Sequence, residues 1–472
     1  MDTSYLAGLI FVLVFGGMIL IHELGHYLAS RLFGVEVEEF GFGLPPRAWT
    51  FWRLTGYFLT RSGKRIEIPA DFGLPFSWTE LTGHELTITV NRDGDKYILR
   101  TIDIVEEGEE KRASSDPLRK DEMLVSQDGS VVSPAREEQP KTRTVQIGKK
   151  RGEFELVETV RESHPGTEFT LNWLPLGGFV RPKGENDPNI PGGLAAANPW
   201  KRLGVLIAGP LMNLIAGVLV YSLLFVLSGI PSQVRIVKVI ENSPASEAGL
   251  QAGDIVLAAN GSNVTTTDGM IILIRRSLDR PILLEVERGG EILEISVTPL
   301  SSRYRQGAVG VFMEQVTAPT SSWFATLPAA VNATYEQGYE ILSLPAQIVR
   351  GLIQPDEGRF IGLKGIFDIF NLTVSTDVSS RGGASTAGGG PTYSTLYLIA
   401  TLTISIGLFN VLPFPALDGG RIIFVLPELI FRRRVPHQVE NAVHAAGMIF
   451  LILLMIYINV MDFVNPLDLP KP

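Results

Sequence analysis

Four long apolar runs constrain this chain more than any other feature. Tyr5 to Ile21 carries no charged side chain, and its helical pattern continues through His22 to Ser30, long enough to span about 30 Å of hydrocarbon. Leu203 to Ile230 has no ionisable group besides Tyr221, a third run covers about Tyr393 to Leu412, and Ala445 to Met461 is apolar apart from Asn459. The expectation is a polytopic α-helical membrane protein with four transmembrane helices. A secretory signal peptide is the alternative for the first run, but Asp2 stands where basic residues belong, and no small-residue cleavage site follows. The composition agrees: 45% hydrophobic against 19% charged residues, with a mean hydropathy of +0.20.

Charge placement sets the expected orientation. Arg31, Arg47, Arg53, Arg61, Lys64 and Arg65 follow the first run, Lys201 and Arg202 precede the second, and Arg421 with Arg432, Arg433 and Arg434 lies between the third and fourth. Those segments are expected on the cytoplasmic side, with both termini and everything between helices two and three outside. The net charge of −9 argues against a general nucleic-acid binder. Zero cysteines exclude disulfides and thiolate chemistry, so a bound metal must be held by histidines and carboxylates.

Polar modules separate the runs. Residues 61–165 mix both charges with alternating apolar stretches such as Leu86, Ile88 and Val90, broken by Asn91-Arg92-Asp93-Gly94. A second alternating pair brackets Lys149-Lys150-Arg151-Gly152. This predicts a β-rich cytoplasmic insert with a solvated charged face. Trp323 to Ile353 has helical apolar spacing and aromatics, as in amphipathic helices on a membrane surface or against a neighbouring domain. Ser375 to Thr392, with Gly388-Gly389-Gly390, reads as a flexible approach to helix three.

The chemistry lies on the first helix, in His22-Glu23-Leu24-Gly25-His26. The i, i+4 spacing puts both imidazoles on one face, able to grip one zinc ion, and Glu23 can take a proton from water beside it. Ionisable groups cost about 2.5–3.5 kcal/mol each inside a membrane helix and usually mark function there. The bland alternative is a polar helix end at the cytoplasmic interface. A hydrolytic zinc site needs a third ligand, and His84, His164, His437, His444 and Asp418 are available. Asp418 is best placed, because Pro413, Pro415, Gly419 and Gly420 prevent a regular helix around it, and such breaks at membrane depth serve a site. Helices one and three run in the same direction, so the first motif and Asp418 arrive at similar depth.

HELGH with Asn410-x-x-Pro413-x-Pro415-x-x-Asp418-Gly419 resembles the site-2 protease family of intramembrane zinc metalloproteases, in its bacterial branch with an extracytoplasmic PDZ domain. The likeness extends to Phe40-Gly41-Phe42-Gly43, similar to the family's membrane re-entrant β-hairpin. It also covers Leu174-Pro175-Leu176-Gly177-Gly178-Phe179-Val180, its edge strand near the active site, and Ala208-Gly209-Pro210-Leu211-Met212-Asn213 in helix two. The resemblance implies His22, His26 and Asp418 as zinc ligands and Glu23 as general base. It also implies that Asn410 helps hold substrate or stabilise the transition state. Gly362-Leu363-Lys364-Gly365-Ile366-Phe367 departs from the family's Pro-rich motif before helix three, and the insert between Phe40 and Leu174 is longer than simple members carry.

Asn242 to Val256, containing Ser243-Pro244-Ala245, Ala248-Gly249-Leu250 and Gly253-Asp254-Ile255, resembles bacterial PDZ domains. Such a domain binds a peptide by strand addition, with Gly307-Ala308-Val309-Gly310-Val311 as a possible carboxylate loop, or else only gates access. The expected division is 1–32 first helix, 33–60 re-entrant β region, 61–165 insert, 166–202 edge strand and loop, and 203–230 second helix. It continues as 231–315 PDZ domain, 316–392 amphipathic helices and linker, 393–432 third helix with the Asp motif, and 433–472 fourth helix and tail. The implied protein is a multi-pass zinc endopeptidase of the inner (plasma) membrane, its active site near the cytoplasmic side, cleaving single-pass membrane proteins within the bilayer. A non-catalytic PDZ adaptor and a metal transporter are the competing classes.

Overall fold

The computed structural model describes residues 3–70, 83, 85–94, 96–104, 153–164, 166–185, 187–302, 307–320, 322–349, 361–381 and 392–466. Two compact units are present: 1–29 with 174–178 and 198–472, and 30–173 with 179–197. His84, the Lys149–Gly152 turn and Gly388–Gly390 lie outside the described residues.

In the first unit, α1 (Thr3–Phe33), α2 (Pro199–Ser228), α7 (Ser394–Val411) and α9 (His437–Val464) form around the four apolar runs. Each is long and apolar enough to cross a membrane. α2 starts where the Asn198 side chain accepts from the Trp200 amide and Pro199 takes the first turn. It is the hub of the helical unit because small residues let its neighbours approach. A Cβ on Gly25 of α1 would stand 2.3 Å from the Ala208 carbonyl oxygen, and one on Gly407 of α7 would stand 2.9 Å from that of Pro210.

The stretch before α7 is more ordered than its composition predicts. α6 (Leu363–Arg381) extends through Ser375, so the expected flexible approach is helical as far as Arg381. Its hydroxyls turn back onto their own helix, Ser375 onto the Asn371 carbonyl and Ser379 onto that of Ser375. Asp377 then accepts from the amides of Ser394 and Thr395, capping α7. Asp462, from the far end of α9, is buried and accepts from the Gly362 and Gly365 amides. The Gly362–Phe367 segment is therefore a helix start whose free N–H groups are met by a carboxylate. α5 (Trp323–Val349) is one continuous helix in the stretch expected to be amphipathic.

Between α2 and α5 lies a β-domain with β8 (Ile230–Val239), α3 (Pro244–Glu247), β9 (Ile255–Ala259), β10 (Ser262–Asn263), α4 (Thr267–Arg276), β11 (Ile282–Arg288), β12 (Glu291–Val297) and β13 (Val311–Ala318). The sheet order is β12-β11-β9-β8-β13, with β10 on β9. Val234, Ile236, Val256, Met270, Leu284 and Val286 form its core with their neighbours. Asp254 is buried there and held by Arg288, Nε on Oδ1 and Nη2 on Oδ2, both at 2.7 Å, while the Gln251 amide donates to Oδ2 at 2.9 Å.

β1 (Val37–Arg53) and β7 (Glu168–Pro182) form a two-stranded sheet and belong to the second unit except for residues 174–178 of β7. Phe40–Gly43, expected in a hairpin, thus lies in one long strand whose partner is the strand expected at Leu174–Val180. The chain between them closes on itself as a barrel: β2 (Gly56–Thr60), β3 (Arg65–Ile68), β5 (Lys96–Ile104), β4 (Glu85–Asp93) and β6 (Glu153–His164), in that order. The alternation of Leu86, Ile88 and Val90 puts all three inside, with Phe58, Ile66, Leu99 and Val160. β4 and β5 pair as a hairpin with Asp93 opposite Lys96, so Asn91 and Arg92 of the expected turn lie in the strand, opposite Ile98 and Tyr97.

Candidate metal centre

His22 and His26 stand one turn apart on α1, so their rings share a face. α2 crosses that face at Gly209, where any Cβ would lie 2.3 Å from His26 Nε2 and 2.9 Å from His22 Nε2. The glycine leaves the space that the two rings occupy. Asp418 reaches the same point from the start of α8 (Asp418–Phe431). Its Oδ2 is 3.0 Å from His22 Nε2 and 3.3 Å from His26 Nε2, and the two nitrogens are 3.1 Å apart. Among the described residues no other histidine or carboxylate joins these three.

The cluster has the chemistry of a cation site. Two imidazole nitrogens and a carboxylate oxygen all offer lone pairs to one point, and lone pairs facing one another repel unless a positive charge lies between them. Tetrahedral zinc bonds of about 2.0 Å put ligand atoms about 3.3 Å apart, close to the separations here. Both rings also have outward partners. His26 Nδ1–H donates to the Val205 carbonyl at 2.8 Å, which turns the Nε2 lone pair toward the centre. His22 Nδ1 faces the side-chain amide of fully buried Asn213 at 3.5 Å, and Asn213 Oδ1 has no partner among the described residues. Rotating that amide by half a turn gives His22 Nδ1–H an acceptor and relieves the orphan oxygen.

The backbone around Asp418 is built for a tight turn. α7 stops at Val411, the Phe414 amide donates to the Leu412 carbonyl, and that of Leu417 to Phe414. Gly419 and Gly420 are obligatory, since a Cβ on either would lie 2.2 Å from a carbonyl oxygen of Val411 and Leu412 or of Phe414. Asp418 thereby sits in the first turn of α8, where the helix dipole favours a carboxylate.

The remaining candidates fall in different places. Glu23 is half-buried beside His22 on α1. Asn410, on the last turn of α7, donates its amide to the Ile406 carbonyl at 3.0 Å. His164 lies in the second unit and pairs with Glu36, His437 opens α9, and His444 accepts from the Ala416 amide. Sequence reasoning overlooked Gly209 and the Val205 carbonyl. A helical glycine within the Ala208–Asn213 stretch was the available signal for the first; a backbone carbonyl leaves none.

One further element lies near the centre. The 174–178 segment of β7 belongs to the same unit as α1. A Cβ on Gly16 would lie 3.2 Å from the Pro175 carbonyl oxygen, and one on Gly177, at φ +88°, 2.8 Å from Ile19 Cγ2. Ile19 is one helical turn before His22 and Glu23, so extended backbone runs beside the motif.

Comparison with known proteins gives the same direction. A Clostridium perfringens protein bearing a zinc-metalloprotease name is 29% identical over 302 residues, 64% of this chain and 85% of its own. The regulator of sigma-W protease RasP of Bacillus subtilis is 24% identical over 455 residues, 95% of this chain and 96% of its own. The zinc metalloprotease RasP of Geobacillus kaustophilus is 26% identical over 456 residues, with the same coverage of both chains. The sequence model of peptidase family M50 matches residues 10–60 and 154–454, a span that takes in His22, His26, Gly209, Asn213 and Asp418. With well over half of its length matched by that model, the chain belongs to peptidase family M50.

Proposed function

We infer that this chain is an intramembrane zinc endopeptidase in which His22, His26 and Asp418 hold the metal and Glu23 is the general base. The observation that carries the reading is the meeting of two α1 imidazoles and the α8 carboxylate at one point, cradled by Gly209. Zinc bound there supplies Lewis-acid polarisation of a peptide carbonyl and acidifies water to a pKa of about 7. Glu23 takes the proton from the attacking water and returns it to the leaving amide nitrogen. Asn410 remains the candidate for holding substrate, through the oxygen of its side chain.

The substrate class is a single-pass membrane protein processed by regulated intramembrane proteolysis, such as an anti-sigma factor or a signal-peptide remnant. The Bacillus subtilis relative, a regulator of sigma-W protease by name, supports this. Substrate backbone unwinding near His22 needs new hydrogen-bond partners in an apolar setting. The strand segment beside Gly16 and Ile19 is suited to supply them by strand addition.

The β-domain at 231–315 is read as a PDZ domain on the extracytoplasmic side, with the metal centre near the cytoplasmic side and the barrel in the cytoplasm. A groove of about 800 Å³ between α4 and β13, lined by Ile271, Ile274, Gly310 and Met313 among others, supports a peptide-binding role.

Glu23→Gln in purified full-length protein keeps its zinc and loses about 10²–10⁴-fold in cleavage of a membrane-embedded substrate. Bound metal is measured alongside fragment yield, and undiminished cleavage sinks the assignment of the base.

A further inference from the structure

We propose that His444, on α9, is a positioning residue that fixes the turn carrying Asp418. The proposal rests on the reading of Asp418 as a metal ligand. Three observations in one helical unit support it. The Ala416 amide donates to His444 Nδ1 at 2.9 Å. Because an amide only donates, Nδ1 of His444 carries no proton and the ring is neutral, with its proton on Nε2. Second, Ala416 has φ +76°, a left-handed conformation that a side-chain-bearing residue rarely adopts. The turn therefore does not adopt this shape by default, and something outside it must hold it. Third, Pro415 is seated on Gly447, one turn along α9 from His444, where a Cβ would stand 2.3 Å from Pro415 Cβ.

The two contacts grip consecutive residues immediately ahead of the ligand. Pro415 is located by shape and Ala416 by a directional hydrogen bond, and Asp418 follows two residues later. Phe424 of α8 packs on the same imidazole, ring centroids 5.6 Å apart. One side chain of the last helix thus meets both the turn before Asp418 and the helix after it. His444 acts through the backbone of Ala416. A strained turn left without this acceptor relaxes toward φ below zero and moves the carboxylate away from the two imidazoles.

Three substitutions test the acceptor. In His444→Asn, Oδ1 takes the place of Nδ1; in His444→Gln, the polar end lies where Nε2 was; His444→Leu has no acceptor. Full-length protein in detergent is stripped of metal and titrated with zinc against a chelating dye. The expected result is near-wild-type affinity for Asn and a loss of about 10–100-fold for Gln and Leu, the size typical of groups supporting a metal ligand. If Leu fails to fold, the contrast between Asn and Gln decides. Amide exchange at Ala416 in the metal-free protein is the second readout, slow in wild type and Asn and fast in Gln and Leu. Equal zinc affinity in all variants, or equal weakening of Asn and Gln, overturns the proposal. Asp418→Ala separates the two layers. If it binds zinc like wild type, the ligand reading fails; if it loses zinc while Gln does not, only the role of His444 fails.

Discussion

Two buried carboxylates in this molecule are held in opposite ways. Asp254 in the β-domain meets a guanidinium at both oxygens and a backbone amide besides, at 2.7–2.9 Å. Asp418 meets two imidazole nitrogens whose outward sides are already engaged. The first carboxylate has its positive charge built in as Arg288, whereas the second sits among lone pairs that leave room for one to be added. A buried acid with its own cation is architecture, and a buried acid facing neutral acceptors is a binding site.

The sharpest way to break this contrast is to remove each carboxylate in turn. Asp418→Ala abolishes stoichiometric zinc and cleavage while leaving the β-domain intact. Asp254→Ala leaves zinc content unchanged and destabilises the β-domain by about 2–3 kcal/mol, since Arg288 is partly solvated and recovers some hydration. Metal analysis and hydrogen exchange of β9 and β11 amides read the two effects separately. Loss of zinc in Asp254→Ala would collapse the distinction. The Asp254 effect also has a pH signature. Burial pulls its carboxyl upward, but the Arg288 side chain and the Gln251 amide more than offset this and hold it below the ordinary range. A depressed folded pKa means the stabilisation is complete above the unfolded value of about 3.9 and is lost as pH falls through the folded one. The difference between wild type and Asp254→Ala therefore shrinks in acid below about pH 4.

Gly209→Ala is the next largest expected effect and acts on Asp418's partners alone. Its Cβ would need to stand 2.3 Å from His26 Nε2, so the ring or α2 must move by most of an ångström. Displacements of that size cost about 10²-fold in catalysis. Cleavage falls by that order and zinc affinity falls with it, whereas Gly249→Ala in the β-domain, with open space around its Cβ but φ +83°, touches only local stability. Unchanged cleavage in Gly209→Ala would mean that the rings do not occupy this cradle during turnover.

Much of the architecture was legible because it rests on periodicity. The four apolar runs became α1, α2, α7 and α9, and the alternation at Leu86, Ile88 and Val90 became a barrel wall. What escaped was set by partners far along the chain. The run from Ser375 reads as linker from composition, yet it begins as helix and its Asp377 caps α7 from 17 to 18 residues away, while Asp462 caps the start of α6 from 97 to 100 residues away. Likewise, HELGH and the Asp418 motif were conspicuous, being polar in an apolar setting, but the groups that orient them were not. Val205 contributes only a carbonyl, and His444 looked like a spare ligand, because sequence cannot say whether a histidine faces a metal or a backbone amide.

The smallest expected effect concerns how the two imidazoles themselves are held. His26 is oriented by a backbone carbonyl that no substitution of Val205 removes, but His22 depends on the Asn213 side chain. Asn213→Leu is nearly isosteric and removes the acceptor that the turned amide offers to His22 Nδ1–H. Loss of this one hydrogen bond costs the metal-free variant about 1 kcal/mol of stability. Zinc affinity falls about tenfold as His22 loses the group that fixes its tautomer. A tenfold loss of affinity beside a stability change of about 1 kcal/mol or less marks a residue kept for the metal; unchanged affinity with a larger loss of stability would make Asn213 a packing residue, and His22 would then need no partner beyond its helix.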